Sequence, residues 1–203
     1  MGRIVYLMGK SSAGKDTIYK RLLEDGETGL KKIVPYTTRP IRDGERNGVE
    51  YFFTDEASFQ SLKEQGKIIE DREYHTVQGL WRYFTVNDSQ LWAEEGCLMI
   101  GTLEAYGRLR AVFGEGRMLP ILVEVDDGVR LKRALEREFS SRDPQYREMC
   151  RRFLADSEDY SEERIREAGI ARRFLNNDLE DCVKEIRAYI GAVFSEDCKE
   201  PGV

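Results

Sequence analysis

Short apolar runs and amphipathic stretches alternate along most of this 203-residue chain. Continuous apolar runs predict strands that are buried on both faces, and the stretches between them have helical periodicity. The predicted strands are 4–8, 33–34, 97–100, 121–125 and 173–175, and the predicted helices are one ending near residue 24 and others near 103–113, 128–138 and 178–194. This order predicts an α/β fold, with a parallel sheet and helices on both faces.

Residues 35–90 interrupt the alternation, because they hold several short strand-like runs without long helices between them. Within them, residues 37–54 are predicted to form an irregular or hairpin segment. A helix near 56–64 follows, with Asp55 as its N-cap, and a further strand opens at Ile68. We therefore expect a small β-rich subdomain inserted into the core.

A second interruption, at residues 138–152, is rich in Arg and Glu and contains Pro144. This composition predicts a mobile lid between two helices. The last residues, from Ser195, are expected to fray. The predicted division of the chain is a core at 1–34 and 91–194, the insertion at 35–90, the lid at 138–152 within the core, and the tail at 195–203.

The charge and residue counts exclude several functions. Asp and Glu number 38 against 32 Lys and Arg, and a net charge of −6 disfavours general binding to nucleic acid, which requires a basic face. His75 is the single histidine, so a His-rich metal site is excluded, and we expect this residue at the surface or in packing. The four cysteines form no C-x-x-C pair, which indicates a reducing compartment. The first apolar run is too short for a signal peptide or a membrane span.

A glycine-rich segment, Gly9-Lys10-Ser11-Ser12-Ala13-Gly14-Lys15, lies between the first predicted strand and the first predicted helix. The G-x-x-x-x-G-K pattern in this context predicts a phosphate-binding loop. Its backbone N–H groups and the helix N-terminus would hold the anion, and Lys15 would reach the β- and γ-phosphates. Asp16 and Thr17 come next, and either the carboxylate or the hydroxyl can serve Mg²⁺.

A second anion site is predicted in the segment Thr37-Thr38-Arg39-Pro40-Ile41-Arg42-Asp43-Gly44-Glu45. Arg39 and Arg42 flank a proline, and guanidinium groups bind phosphate in a bidentate manner. The hydroxyl of Tyr51 can complete such a clamp. We expect this site to face the glycine-rich loop.

These two motifs give the chain a resemblance to the guanylate kinases, a family of P-loop nucleoside monophosphate kinases. The resemblance runs from Arg3 to about Ile190 and is strongest in the glycine-rich loop and in residues 37–53. It implies a P-loop kinase fold with a five-stranded parallel sheet, an inserted subdomain that binds the nucleoside monophosphate, and a helical lid. It further implies that ATP, with Mg²⁺, phosphorylates GMP or dGMP. Such a reaction needs no general base, because the acceptor is already an oxyanion.

The resemblance also implies roles for individual residues of the insertion. Arg39, Arg42 and Tyr51 would hold the phosphate of GMP, and Glu70 would recognise guanine. A carboxylate accepts hydrogen bonds from N1–H and from the 2-amino group. Adenine offers neither donor, so a buried Glu70 left unpaired would reject AMP.

Two lid arginines, Arg137 and Arg152, would act with Lys15 on the transferred phosphoryl group. Their separation is wider than the family shows, and Arg151 and Arg142 are alternatives to Arg152. The resemblance thus implies a ring of cations around the reacting phosphate.

Two further polar segments have more than one interpretation. Asn176-Asn177-Asp178-Leu179 resembles the family's segment near the ATP base, and a helix N-cap explains it as well. At Asp126-Asp127 we favour helix capping over metal binding.

The sequence departs from the family pattern at three places. Pro35 lies where a small hydroxyl residue is usual, four positions before Arg39. Thr102 replaces an acid that the family has near the guanine and the metal, and Thr102 is our candidate for that position. For the tyrosine that contacts the GMP phosphate our candidate is Tyr83, with Tyr74 as the alternative.

Two alternatives to a guanylate kinase stay open. A ribose 1,5-bisphosphate phosphokinase shares the Gly14-Lys15-Asp16 loop, whereas Tyr51 and residues 37–53 favour a nucleoside monophosphate. A catalytically silent module that binds proteins is the second alternative, but such modules have usually lost the phosphate loop. The expected partners are GMP and ATP, with no nucleic acid polymer and no membrane, and the expected location is the cytoplasm.

Overall fold

The structure is a computed structural model that describes residues 2–24, 26, 28–76 and 79–197. The strands are β1 (Ile4–Met8), β2 (Lys31–Lys32), β3 (Tyr36–Thr37), β4 (Phe52–Phe53), β5 (Ile68–Thr76), β6 (Gly79–Val86), β7 (Cys97–Gly101), β8 (Met118–Glu124) and β9 (Arg173–Leu175). The helices are α1 (Lys15–Glu24), α2 (Glu56–Glu64), α3 (Leu103–Phe113), α4 (Asp127–Phe139), α5 (Tyr146–Asp159), α6 (Glu162–Glu167) and α7 (Leu179–Asp197). Two short 3-10 helices cover Ser89–Trp92 and Glu115–Arg117.

The larger of two sheets has five strands in the order β2-β7-β1-β8-β9. All its pairs are parallel. Along β1, Tyr6 packs in a cluster with Leu109 of α3, whereas Val5 packs in a cluster with Ile18 of α1 and Ile186 of α7. The predicted α/β fold, with a parallel sheet covered by helices on both faces, is confirmed.

The smaller sheet has the order β4-β3-β6-β5 and lies wholly within the predicted insertion. One of its faces packs on α2, where the rings of Phe59 and Phe84 meet edge to face. Asp55 accepts a hydrogen bond from the Ser58 N–H and is the N-cap of α2, as predicted. His75 lies on the long β5–β6 hairpin and is exposed, which agrees with the expected surface position.

Two local predictions were wrong, and a third was right in one of its two alternatives. The edge strand of the larger sheet is Lys31–Lys32 and not 33–34. Ile33 and Val34 are instead buried in the connection that leads from β2 in the larger sheet to β3 in the smaller sheet. Of the two predicted forms of residues 37–54, the irregular segment is confirmed and the hairpin is not, since β3 and β4 run parallel. The chain from Ser195 to Asp197 continues α7 rather than fraying, and residues 198–203 lie outside the described residues.

The predicted lid, 138–152, takes in the end of α4 and the first half of α5. Only residues 140–145 between these helices are non-helical. None of the helices in the described part of the chain has the length and apolar character that crossing a membrane requires.

Candidate functional site

The glycine-rich loop follows β1 and ends where α1 begins, as the sequence predicts. Gly9 and Gly14 are required there by close packing. A Cβ at Gly9 would overlap the Val123 carbonyl oxygen, and one at Gly14, whose φ is 92°, would overlap the Asn176 side chain. The loop therefore packs against β8 and against the segment before α7.

The Ser11 peptide groups are held from two helices. Its N–H donates to Asp156 Oδ2 of α5 at 2.8 Å, and its carbonyl accepts from Arg130 Nε of α4 at 3.0 Å. Arg130 is only 1% exposed and donates to Asp156 at 2.8 Å and to Asp127. Arg130 and Asp156 are not predicted from the sequence, because burial of a guanidinium depends on the neighbouring helix and leaves no local signal.

The neighbours of Ser11 are also fixed in place. Ser12 has a φ of 62° and a buried hydroxyl without a hydrogen-bond partner among the described residues. The Ala13 N–H donates to the Lys10 carbonyl, and the Ala13 carbonyl accepts from the Asn176 side chain at 2.8 Å. The Gly9 N–H donates to the Tyr160 hydroxyl at 3.2 Å, and burial raises the pKa of this phenol, which stays neutral.

Arg137 and Arg152 line one small cavity beside the loop. The other lining residues are Ser11, Ser12, Ala134, Met149 and Phe153. Arg152 and Asp156 are four residues apart on α5 and share a face, so the contact that holds Ser11 also directs Arg152 towards the loop. Arg151 and Arg152 both pair with Glu148, at 2.7 and 3.1 Å, and their side chains are 60% and 51% exposed, but Arg152, unlike Arg151, lines the cavity. The exposed Arg142 lies in the connection between the helices.

Lys15, Asp16 and Thr17 form the first turn of α1. The Lys15 ammonium lies 3.7 Å from an Asp16 carboxylate oxygen, and both Asp16 and Thr17 are exposed. Mg²⁺ keeps several waters and needs one or two protein oxygens besides substrate phosphates. The two side chains fit such a site, although the described residues hold no cluster of three metal-binding side chains.

Lys10 points from the loop towards α4, where its ammonium lies 3.6 Å from Asp127. Partial burial alone would raise the pKa of Asp127, but Arg130 and Lys10 lower it. Asp126, the residue before it, accepts from the Gly128 and Val129 N–H groups, so its predicted role as a helix cap is confirmed.

The predicted phosphate clamp is built around Arg39, which is 3% exposed. Its Nε donates to the Tyr83 hydroxyl at 3.1 Å, and its terminal nitrogens donate to Glu45 at 2.8 and 3.0 Å. The same carboxylate accepts from the Arg42 N–H at 2.8 Å. These hydrogen bonds raise the pKa of Arg39 and lower the pKa of Glu45, so both groups stay charged.

Aromatic rings surround the clamp. The Arg39 guanidinium lies 5.6 Å from the centre of the Tyr51 ring, and Tyr51 meets Tyr83 edge to face at 5.5 Å. The Arg42 guanidinium lies 6.0 Å from the Trp81 ring. The structure thus brings Arg39, Tyr51 and Tyr83 together, while Tyr74 is 45% exposed and reaches this group only through its ring contact with Tyr83.

Glu70 is buried on β5, with 4% exposure. One carboxylate oxygen accepts from the Thr85 hydroxyl at 2.7 Å, and the other lies 3.3 Å from Arg72 Nε. Thr85 pairs with Glu70 across the β5–β6 ladder. Thr85 and Arg72 are not among the residues predicted for the site. The hairpin pattern does contain a usable signal for them, because residues paired across a hairpin share a face.

Thr102 caps α3 at the end of β7. Its hydroxyl accepts from the Ala105 N–H at 3.2 Å, and its carbonyl accepts from the Tyr6 hydroxyl at 3.2 Å. Burial raises the pKa of Tyr6, and the charge of Glu70 adds to the rise. Glu70, on β5, therefore lies near Tyr6, which is on β1, the strand that leads into the glycine-rich loop.

The segment at Asn176 lies against that loop as well. Asp178 accepts from the Asp181 N–H at 3.0 Å and caps α7. Asn176 is buried and donates to the loop at Ala13. The segment therefore shows a feature of each interpretation. Asp178 caps α7, and Asn176 contacts the glycine-rich loop.

The comparisons with known proteins agree with this geometry. A family model described as guanylate kinase matches residues 1–79. A guanylate kinase from Malacoplasma penetrans (strain HF-2) is 27% identical over 201 residues, which cover 92% of this chain and 91% of that protein. By sequence and fold, the chain is similar to guanylate kinases. The crystal structure of guanylate kinase from Anaplasma phagocytophilum superposes with a TM-score of 0.60 at 22% identity, over 94% of this chain and 85% of that one.

The resemblance to guanylate kinases that the two motifs predict is confirmed. The matched residues 1–79 include the glycine-rich loop, the clamp and Glu70, and they end before Tyr83. The similarity across the lid therefore comes from the whole-chain matches to the two guanylate kinases.

Proposed function

We propose that this protein transfers the γ-phosphate of ATP to GMP, giving ADP and GDP. The observation that carries the proposal is that one chain contains two candidate anion sites of different construction. The glycine-rich loop leads into Lys15 at the first turn of α1, and the smaller sheet brings Arg39 together with the Tyr83 hydroxyl and the Tyr51 ring, with the buried Glu70 on the same sheet. The similarity to guanylate kinases supports ATP and GMP as the two substrates.

Phosphoryl transfer between two anions depends on positioning and charge neutralisation. Lys15, Arg137 and Arg152 would surround the transferred group, and the cavity that the two arginines share with Ser11 supports this placement. Residues 138–152 would close over ATP as the lid, and residues 35–90 would bind GMP. Closure of both would exclude water, which otherwise would hydrolyse ATP.

The clamp would bind the GMP phosphate through Arg39, Arg42, Tyr51 and Tyr83. Glu45 supports this role, because it holds Arg39 in place and keeps the buried guanidinium charged before substrate arrives. Glu70 would accept from guanine N1–H and the 2-amino group, with Thr85 fixing the orientation of its carboxylate. Thr102 would lie at the base as a neutral neighbour.

The proposal includes Mg²⁺ as the partner of ATP. Asp16 and Thr17 would hold it at the first turn of α1, where one carboxylate and one hydroxyl are exposed beside Lys15. When bound, the ion would neutralise charge on the phosphates. We also propose a cytoplasmic location, which the unpaired thiols of Cys97, Cys150 and Cys182 support.

The proposal predicts Mg²⁺-dependent release of ADP from ATP with GMP as acceptor. A coupled assay should test GMP, dGMP, IMP, AMP, UMP and ribose 1,5-bisphosphate in turn. Lys15→Ala should lower kcat with GMP by about 100-fold or more, because it removes a preorganised charge at the transferred group. Lys20→Ala, an exposed change in the same helix, is the matched control.

Glu70→Gln should lower kcat/KM for GMP by about 10- to 100-fold and reduce the preference for GMP over AMP, because a neutral amide accepts more weakly from the two guanine donors. Turnover with ribose 1,5-bisphosphate alone would move the assignment to that kinase. No turnover with any acceptor and no binding of ATP would leave a silent binding module.

A further inference from the structure

We infer that Arg72 determines base specificity in this site by donating hydrogen bonds to O6 of guanine, beside the Glu70 carboxylate. The inference rests on the proposed function, because it concerns the base of the same nucleotide. It adds a residue of opposite charge to the glutamate that the resemblance implies.

The strand register places Arg72 on the same face of the sheet as Glu70. Arg72 follows Glu70 by two positions on β5, and it pairs with Tyr83 just as Glu70 pairs with Thr85. Alternate residues of a strand share a face. Arg72 therefore lies between the buried glutamate and the tyrosine that contacts Arg39, which is the span a nucleotide would occupy from base to phosphate.

The Arg72 guanidinium lies against Glu70, and no hydrogen bond from it to another described residue is present. Its Nε lies 3.3 Å from Glu70 Oε2, is buried, and makes no hydrogen bond within the described residues. The side chain is 28% exposed, so it also reaches open space. A guanidinium carries five N–H donors, and one carboxylate whose other oxygen is taken by Thr85 cannot use them all.

Within the described residues, Glu70 is the carboxylate that pairs with Arg72. Burial alone would lower its pKa, but the charge of Glu70 and the nearby phenols of Tyr6, Tyr74 and Tyr51 raise it, so the group stays charged. The other arginine of this hairpin, Arg82, lies on the opposite face, where it pairs with Glu56 and Glu73. The face of the smaller sheet that carries Glu70 thus has one carboxylate and one guanidinium side by side.

Guanine is complementary to such a pair. It offers N1–H and the 2-amino group as donors, and O6 and N7 as adjacent acceptors, to which arginine donates a bidentate pair of hydrogen bonds. Glu70 would take the donors and Arg72 the acceptors. Adenine carries an amino group in place of O6, so it would place donors against donors and leave the Arg72 guanidinium unsatisfied. The Thr102 hydroxyl accepts from the Ala105 N–H in the cap of α3.

The test compares GMP, 6-thio-GMP and IMP as acceptors for the full-length enzyme with ATP and Mg²⁺. 6-Thio-GMP keeps both donors and replaces O6 with sulfur, a weaker acceptor, whereas IMP keeps O6 and lacks the 2-amino group. The wild type should prefer GMP over 6-thio-GMP by about tenfold or more. Arg72→Met should lower kcat/KM for GMP by about 10- to 100-fold and bring that preference close to one, with the GMP-to-IMP ratio unchanged.

Glu70→Gln should show the reverse pattern, with the GMP-to-IMP ratio reduced and the preference over 6-thio-GMP kept. Lys67→Met removes the same charge from an exposed position at the start of β5 and should change neither ratio. Arg72→Lys, which keeps the charge without the planar fork, should retain only part of the preference, and it decides the question if Arg72→Met does not fold.

The outcomes separate this inference from the proposed function. A wild type that phosphorylates GMP but treats 6-thio-GMP equally, or an Arg72→Met variant that keeps the full preference, overturns the role of Arg72 and leaves the kinase assignment intact. A wild type that does not phosphorylate GMP overturns the assignment itself, and the inference with it.

Discussion

At the residue scale, the clamp arginine is held by a carboxylate of its own chain. Arg39 donates two hydrogen bonds to Glu45 and one to Tyr83, and this set fixes the plane of its guanidinium. A buried cation without a partner costs several kcal/mol, so Glu45 makes the burial of Arg39 possible. A guanidinium held in this way would lose little freedom on binding the phosphate that we propose for this site.

The described thiols differ in environment, which gives a residue-scale prediction. Burial raises the pKa of Cys182 to about 11, and burial also raises that of Cys97. Because the thiolate is the reactive form, a brief treatment of the native protein with iodoacetamide at pH 7.5 should label the exposed Cys150 and leave Cys97 and Cys182 unmodified. Peptide mass spectrometry measures the label.

A sample unfolded in guanidinium chloride is the control for this labelling, since all three thiols should then react. Equal labelling of Cys150 and Cys182 in the native protein would contradict the burial that the structure assigns to Cys182.

At the element scale, α4 and α5 hold the glycine-rich loop through the two peptide groups that flank Ser11. Arg130 comes from α4 and Asp156 from α5, and they contact the carbonyl and the N–H of Ser11. Arg137 lies two helical turns after Arg130, and Arg152 lies one turn before Asp156. The pair therefore sets the position of the loop and of the two lid arginines together.

This arrangement predicts coupling between Arg130 and Asp156. Arg130→Met and Asp156→Asn should each lower kcat and raise KM for ATP by about tenfold, with KM for GMP little changed, because the clamp is on the other sheet. The double variant should show a coupling of about 0.5–3 kcal/mol in kcat/KM for ATP, since both residues hold the same peptide groups.

Lys132→Met, an exposed change on α4, is the control for this series. Strictly additive effects, or equal changes in KM for ATP and for GMP, would show that the two residues support the fold without positioning the loop.

At the scale of the whole molecule, ion pairs between Arg or Lys and carboxylates occur both in the core and in the inserted subdomain. Hydrogen bonds from Arg39, Arg151 and Arg173 lower the pKa values of Glu45, Glu148 and Glu162, respectively. A carboxyl with a lowered pKa in the folded state stabilises the fold above its ordinary pKa and loses that contribution as the pH falls through the lowered value.

The urea midpoint should therefore stay nearly constant from pH 7 to 5 and fall below about pH 4.3, the ordinary pKa of Glu. The decrease should be smaller in about 1 M NaCl, because salt screens exposed pairs already at neutral pH. Urea titrations at several pH values, followed by circular dichroism, measure the midpoint. A midpoint that does not change down to pH 3 would contradict the prediction.

Much of the fold and of the candidate site follows from local patterns. The strand at 173–175, the helix at 103–113, the Asp55 cap and the glycine-rich loop agree with the structure, because each depends on neighbours within a few residues. Arg39 and Tyr51 follow from the motif in residues 37–53, and Glu70 follows from the resemblance to guanylate kinases. The prediction of a strand at 33–34 was wrong because these apolar residues are buried in the connection between the two sheets. In the sequence, a short buried connection has the same apolar pattern as a short buried strand.

What the sequence determined by itself is the order of elements and the two anion-binding motifs, since hydrophobic periodicity and turn chemistry are local. Only the tertiary structure decided that Arg152 rather than Arg151 lines the loop cavity, that Tyr83 rather than Tyr74 contacts Arg39, and that Arg72 lies beside Glu70. Each of these outcomes depends on which face of an element is covered by a partner distant in sequence. Burial and charge pairing act through space, so they are settled only when the elements pack.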